Sequence, residues 1–449
     1  MCWVYCKIME EDTPNPLLSE PELVEPVGEN APVGVTAAPA TRAAATFIFL
    51  TVALDMLAMG MIVPVLPKLI QGFEGGNAAS AATMIGIFGF MFAGIQFMFS
   101  PMLGALSDKV GRRPVVLMSN FGLGADYVVM ALAPTLPWLF LGRVISGLTS
   151  SSIPTAMAYM ADVTPQEKRA GAFGMLNAAF GIGFVVGPAL GGVLGNVNPR
   201  LPFWVAAGLS LLNGMYGLFV LPESLKHEHR QKKINWKRAN PVGSLALFTR
   251  VKGLLPLAGL LTLGYIAQQS LMSTYMIYVY TRYSWTVLRG GNSLALVGIV
   301  MGLYGVLLVK PMVAKLGERK TIIVGYIGGA LGYWAMGFSK TGLLVWLGIP
   351  FLNLMGIAWP SAQSIMSRHT PANEQGLLQG AVNSLRGVSG LIGPLMFTWV
   401  FAHSIDAKPI FPAAGSAFYL AAGLILLGLL IASVALAHDH PTSVTASGS

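Results

Sequence analysis

Runs of about 20 mainly apolar residues, broken by short polar stretches, repeat along most of this 449-residue chain. A helix of that length crosses about 30 Å of hydrocarbon with its backbone hydrogen bonds made internally, so the pattern predicts membrane-spanning helices. The runs fall near 45–67, 82–104, 115–133, 137–161, 171–195 and 202–221, and again near 254–281, 293–313, 320–339, 342–366, 376–402 and 411–436. Between the two sets lies 222–252, polar and basic, with Lys226, Arg230, Lys232, Lys233, Lys237, Arg238, Arg250 and Lys252. The expected fold class is therefore all-α integral membrane, 12 transmembrane helices forming two six-helix bundles. Its boundaries read as a tail at 1–43, a first bundle at 44–221, a linker at 222–253, a second bundle at 254–437 and a tail at 438–449. Residues 1–43, rich in Glu, Pro, Ala and Val with seven acids, are expected to be disordered. Glu10, Glu11 and Asp12 make this stretch unlike a cleavable signal peptide.

The two sets are internally related. Shifting the chain by 206 residues places Gly111 on Gly317, Arg113 on Arg319, Tyr127 on Tyr333, Pro154 on Pro360, Thr164-Pro165 on Thr370-Pro371, Gly174 on Gly380, Asn177 on Asn383 and Gly187-Pro188 on Gly393-Pro394. Two halves in the same orientation, repeated at Gly and Pro positions where helices bend or approach closely, predict a transporter with its site near the midplane.

Composition agrees, and charge fixes the orientation. Apolar residues make up 54% and charged residues only 10%, more apolar surface than a soluble core can bury. The net charge of +9 is topological, because the loops sharing a side with the tail and linker carry 17 Lys and Arg against six opposite. The positive-inside rule then places both termini in the cytoplasm of a multi-pass protein of the cytoplasmic (inner) membrane. A nucleic-acid partner is not expected; the partners are the lipid bilayer and a small-molecule substrate, with the monomer as the working unit. Both cysteines, Cys2 and Cys6, lie in the tail, so a disulfide framework in the membrane part is excluded. The six histidines sit in loops or near run ends, and no catalytic or metal constellation is legible, so an enzyme is not expected.

The candidate chemistry is the charge inside the runs. Only Asp55 and Asp126 are acids at membrane depth, where ionisable groups are costly enough to be functional by default. Desolvation favours the neutral form of a carboxyl, which suits such a group to carry a proton, the one coupling ion expected and the reason no cofactor is needed. A permanent structural ion pair is the competing reading for Asp55. Arg143 lies about as far beyond the turn at Pro134 as Asp126 lies before it, so the two reach similar depth on antiparallel helices. Gln96, Asn177, Gln268, Gln269, Gln363 and Asn383 are amides at depth, suited either to a substrate pocket or to helix-to-helix hydrogen bonds. Arg386, about ten residues into its run, suggests an anionic substrate group or a tether to Asp55 across the halves, whereas Lys310 reads as snorkelling.

The most polar short loop is Gly104-Ala-Leu-Ser-Asp108-Lys-Val-Gly111-Arg112-Arg113-Pro114, with Gly111 free to take a positive φ and Pro114 suited to a first helical turn. This loop resembles the signature of the major facilitator superfamily. Thr51-Val-Ala-Leu-Asp55, Pro64-Val-Leu-Pro67, Gly142-Arg143, Ala161-Asp162, Gln375-Gly376 to Gln379-Gly380, and Gly183 through Gly187-Pro188 to Gly191-Gly192 are similar to drug:proton antiporters of the tetracycline-efflux type. The resemblance implies a proton-coupled antiporter exporting a small amphiphilic, tetracycline-like molecule by alternating access, a drug-efflux and antibiotic-resistance activity. The alternative is a proton-coupled symporter importing a small anionic metabolite. It implies coupling by Asp55, Asp126 and Arg143, with Arg143 serving either acid or both in turn. It further implies a gating loop in which Asp108 meets the start of span 11 while Arg112 or Arg113 meets Asp162, contacts expected only when the inside is shut. Gly183, Gly187, Pro188, Gly191 and Gly192 are implied as the exporter glycine-proline motif. The chain departs from the pattern in span 9, where Gly329 stands in place of an acid.

Overall fold

The expected runs are helical because nothing in them competes with the helix: Gly and Pro are frequent, yet in lipid an unmade backbone hydrogen bond costs more than their poor propensity. The computed structural model describes residues 41–150, 152–230, 243–251, 253–405 and 414–438, and these contain helices and no strand. The first half runs α1 (Thr41–Ile62), α2 (Leu66–Phe73), α3 (Ala78–Val110), α4 (Arg112–Leu132), α5 (Leu136–Thr149), α6 (Ser152–Val163), α7 (Arg169–Val197) and α8 (Leu201–Val220). A short α9 (Ala246–Arg250) leads to α10 (Leu254–Ser273), α11 (Tyr275–Tyr283), α12 (Val287–Leu307), α13 (Val309–Phe338), α14 (Gly342–Asn353), α15 (Met355–His369), α16 (Gln375–Ile405) and α17 (Ser416–His438). The disorder expected of residues 1–43 falls on positions outside the described residues up to 40, as does the tail from 439. Residues 41–43 belong to α1.

Eleven stretches among the described residues are long and apolar enough to cross a bilayer, one fewer than expected. The fourth expected run is instead α5 and α6, of 14 and 12 residues, each short of the roughly 20 a crossing needs. Helix α5 ends at Thr149, whose hydroxyl donates to the Ile145 carbonyl at 2.9 Å. Ser150 Oγ accepts a hydrogen bond from the Gln96 side chain of α3 at 3.0 Å.

Helix α1 packs between α7 and α8, and in the second half α10 packs between α16 and α17. Two contacts, α3 with α16 and α7 with α12, join the halves. Close approach, within the first half as between the halves, depends on missing side chains. A Cβ at Gly187 would stand 2.8 Å from the Leu57 carbonyl oxygen and the Gly60 Cα of α1, and one at Gly192 would stand 3.2 Å from Leu288 and Gly291 of α12. Gly89 sits against Pro394 in the same way. The halves also meet where the Tyr280 hydroxyl of α11 donates to the Pro64 carbonyl. These glycine contacts and the Tyr280 bond lie toward the end opposite the basic loop, while Gly387 against the Phe97 ring carries the α3–α16 contact past mid-helix. At the basic end Gly104, Gly174 and Gly376 have nothing within 4 Å of where a Cβ would stand. The periphery of the molecule is apolar, with Phe219 and Val197 85% and 78% exposed, a surface that lipid would cover.

Candidate functional site

Between the halves lies a cavity of about 880 Å³, walled by α1 to α6 from one side and by α10 and α16 from the other, with Ser244 and Gly376 at its basic end and Leu66 and Pro67 of α2 at the opposite one. That volume suits a drug-sized ligand. Its walls are largely aromatic and apolar, including Phe88, Phe92, Phe97, Tyr127 and Met272, and carry three charges: Asp55, Arg143 and Arg386.

Asp55 stands in the middle of α1, only 4% exposed. One turn earlier the buried Thr51 hydroxyl accepts the Asn213 amide of α8 at 3.1 Å, which fixes the rotation of α1 and with it the face Asp55 presents. Arg143 of α5 lays its guanidinium over the Phe92 ring of α3, 4.3 Å from the centroid. Asp126 does not reach the cavity. It is fully buried on α4 against Gly142 of α5, with Arg143 and Ser146 as its polar surroundings. Arg143 therefore stands between a buried acid and the cavity that Asp55 shares.

Of the amides expected in a pocket, Gln96, Gln269 and Asn383 line the cavity, while Asn177, Gln268 and Gln363 do not. Neighbouring positions on a helix point about 100° apart, so with Gln269 facing in, Gln268 turns away. Asn177 is exposed on α7, and Gln363 sits half-buried on α15, which packs on α13 and α10. Arg386 is exposed to the cavity and stacked over Tyr265 of α10, 5.0 Å from the ring centroid. The tether to Asp55 is absent: among the described residues no carboxylate lies within 4.0 Å of that guanidinium. Lys310 is exposed near the start of α13, and Gly329 packs on Met355, helix contact filling the place of an acid.

The basic loop forms a cluster within its own half. Arg112 pairs with Asp108 at 2.5 Å and with Asp162 at 3.2 Å, and also donates to Ser107 Oγ at 2.6 Å. Arg113 donates to the Leu218 carbonyl at 2.6 Å. Gly111 takes φ 112, and a Cβ there would run into the Glu223 carboxylate. That carboxylate accepts the backbone N–H groups of Arg112 at 2.8 Å and Arg113 at 3.3 Å, capping the start of α4 from 111 residues away. Glu223 was not legible as a site residue, since nothing local distinguishes a loop acid. Both partners of the Arg112–Asp162 pair belong to the first half. Asp108 is held by Arg112 of its own loop, and Gly376 at the start of α16 stays clear. The motif glycines Gly183, Gly187 and Gly191 press on the backbone of α1 and Gly192 on α12, with Pro188 inside α7 beside Gly60.

Comparisons with known proteins agree with this architecture. A sequence profile of the Major Facilitator Superfamily matches residues 48–394 and 303–449. The class C tetracycline resistance protein of Escherichia coli is 36% identical over 377 residues, covering 82% of this chain and 93% of that protein. The class G protein of Vibrio anguillarum is 35% identical over 371 residues, covering 82% and 92%. Among solved structures, the nucleoside transporter NupG superposes with a TM-score of 0.69 at 14% identity, over 89% of this chain and 98% of that one, a likeness of fold. Helices, central cavity and relatives together establish that the chain is a membrane transporter of the Major Facilitator Superfamily, in the family of the tetracycline resistance proteins.

Proposed function

We propose that this transporter is a proton-coupled antiporter exporting a small amphiphilic, tetracycline-like molecule across the cytoplasmic membrane by alternating access. The observation carrying the reading is Asp55, buried in mid-helix yet forming part of the wall of a drug-sized cavity between the halves. A carboxyl there binds either a proton or a cationic group of the substrate, so one expels the other, and the open end sets which side each is drawn from. The basic end faces the cytoplasm by the positive-inside rule, α5 and α6 together make the twelfth crossing, and the monomer suffices because the cavity is complete within one chain. In this reading the bundles run over 44–221 and 254–437, Asp126 holds Arg143 in place and Gly183 to Gly192 form the pivot of α7 on α1 and α12. Arg386 favours a second reading, import of a small anion with protons.

Inverted membrane vesicles separate the two. Acidifying the lumen should drive accumulation of tetracycline by the antiporter. No accumulation, together with uptake of an organic anion on acidifying the outside, would replace this reading with the symporter.

A further inference from the structure

A polar layer crosses the core of the first half without reaching the cavity. Asn120 of α4 and Thr155 of α6 are buried, and neither the amide nitrogen and oxygen of the first nor the hydroxyl of the second has a hydrogen-bond partner among the described residues. The Arg112–Asp162 pair sets the two helices level at the basic end, and Asn120 lies eight residues from Arg112 while Thr155 lies seven from Asp162, so they share a depth. One turn nearer the basic end, on the same faces, Val116 and Tyr159 pack into one cluster, so Asn120 and Thr155 face the same interior. The backbone of Gly214 lies against Asn120 from α8, and the preceding residue, Asn213, donates to Thr51 of α1, one turn from Asp55. The second half shows what fits at this place. A shift of 206 residues sets Asn120 on Tyr326, whose ring carries its hydroxyl across to the Leu260 carbonyl of α10 at 2.9 Å, and sets Leu54, next to Asp55, on Leu260. Asn120 is shorter by the length of that ring. A buried amide is costly to leave unbonded, and a site offering an amide and a hydroxyl suits water. Antiport needs such a site, because cargo entering from the cytoplasm fills the cavity that Asp55 lines, and the proton it displaces then needs a way out on another side.

We propose that Asn120 and Thr155 hold water in the core of the first half, and that the proton of Asp55 leaves to the cytoplasm through this water and not through the cavity. The Asp55 carboxyl gives its proton to the water, which passes one on past the Thr155 hydroxyl. The route ends at Tyr159, one turn nearer the basic end, whose hydroxyl donates to the Pro222 carbonyl at 2.9 Å beside Glu223. Each group along it takes one proton as it gives one up, so Asp55 ends as a carboxylate and the cytoplasm gains the proton. Thr155 is a relay, and Asn120 a positioning residue that holds the water. This rests on the antiport reading above and adds a path for the proton apart from that of the cargo.

Inverted vesicles carrying the full-length protein give two rates for tetracycline in one preparation. Accumulation driven by an acid lumen needs proton release, whereas exchange of labelled for unlabelled drug without a gradient does not. Asn120→Leu, close to Asn in size, and Thr155→Val should each lower the ratio of driven uptake to exchange about tenfold, the rate equivalent of one polar contact. Asn120→Tyr, which brings in the residue of the second half, should lower it at least as far, while Asn120→Ser and Thr155→Ser should keep most of it. A partly misfolded variant loses both rates together and leaves the ratio valid, and the nearly isosteric Thr155→Val carries the test should the changes at Asn120 prevent insertion. An unchanged ratio in Asn120→Leu or in Thr155→Val, or an equal fall in Asn120→Leu and Asn120→Ser, would overturn the proposal. Failure of the antiport reading shows separately, as a wild type that exchanges tetracycline but never accumulates it on acidifying the lumen.

Discussion

Charged residues in apolar runs were the easiest features to read, and Asp55, Arg143 and Arg386 all line the cavity for the same reason: a charge at depth must face water, a partner or cargo. Amides carry no such obligation, which is why Gln269 and Gln268, adjacent in sequence, point to different places. Asp126 shows the opposite limit, since its depth was legible but its retreat behind Arg143 depends on how α4 rotates against α5. Glu223 was invisible because its role arises from long-range folding. Glu223→Ala should leave the Arg112 and Arg113 amides without an acceptor and lower stability by about 0.5–2 kcal/mol, seen as a lower Tm in detergent, while Glu223→Gln loses less. An unchanged Tm for Glu223→Ala would refute the capping role.

Among the elements, the 206-residue repeat carried the most information. It placed two tight turns correctly, and Gly111 and Gly317 do take positive φ, 112 and 75. The same shift sets Arg112 on Glu318 and Asp162 on Arg368, and the Glu318–Arg368 pair forms at 2.6 Å with the polarity of the Arg112–Asp162 pair reversed. Either single reversal, Glu318→Arg or Arg368→Glu, should impair transport, and the double variant should recover most of it. The direct coupling at this half-exposed site is about 0.2–1 kcal/mol, so the loss reflects repulsion more than a missing bond. Equal impairment in single and double variants would show that the reversed polarity is required. Gly187→Val presses a side chain into the α1 backbone, which cannot yield as a flexible side chain would. It should cost about 1–3 kcal/mol and stop transport even where the protein still inserts, checked by thermal melting alongside vesicle uptake. The α5–α6 break escaped prediction because three serines inside an apolar run look like a tolerated polar patch until a neighbouring Gln96 engages one of them.

For the whole molecule, sequence gave the class of fold but not the state. Helix lengths and the repeat are local or periodic, whereas which end is shut depends on how the two halves lean against each other. Spin labels at Gly104→Cys and Gly376→Cys, with Cys2 and Cys6 replaced, should give a distance distribution that shortens when cargo and a proton gradient drive the closed state. A distribution that never moves would contradict alternating access. The central claim is that Asp55 exchanges a proton for cargo, and transport by Asp55→Asn in sealed vesicles tests it most directly. The account predicts that proton-driven accumulation of tetracycline is lost while exchange of labelled for unlabelled drug across the membrane persists; accumulation against a gradient by Asp55→Asn would contradict it.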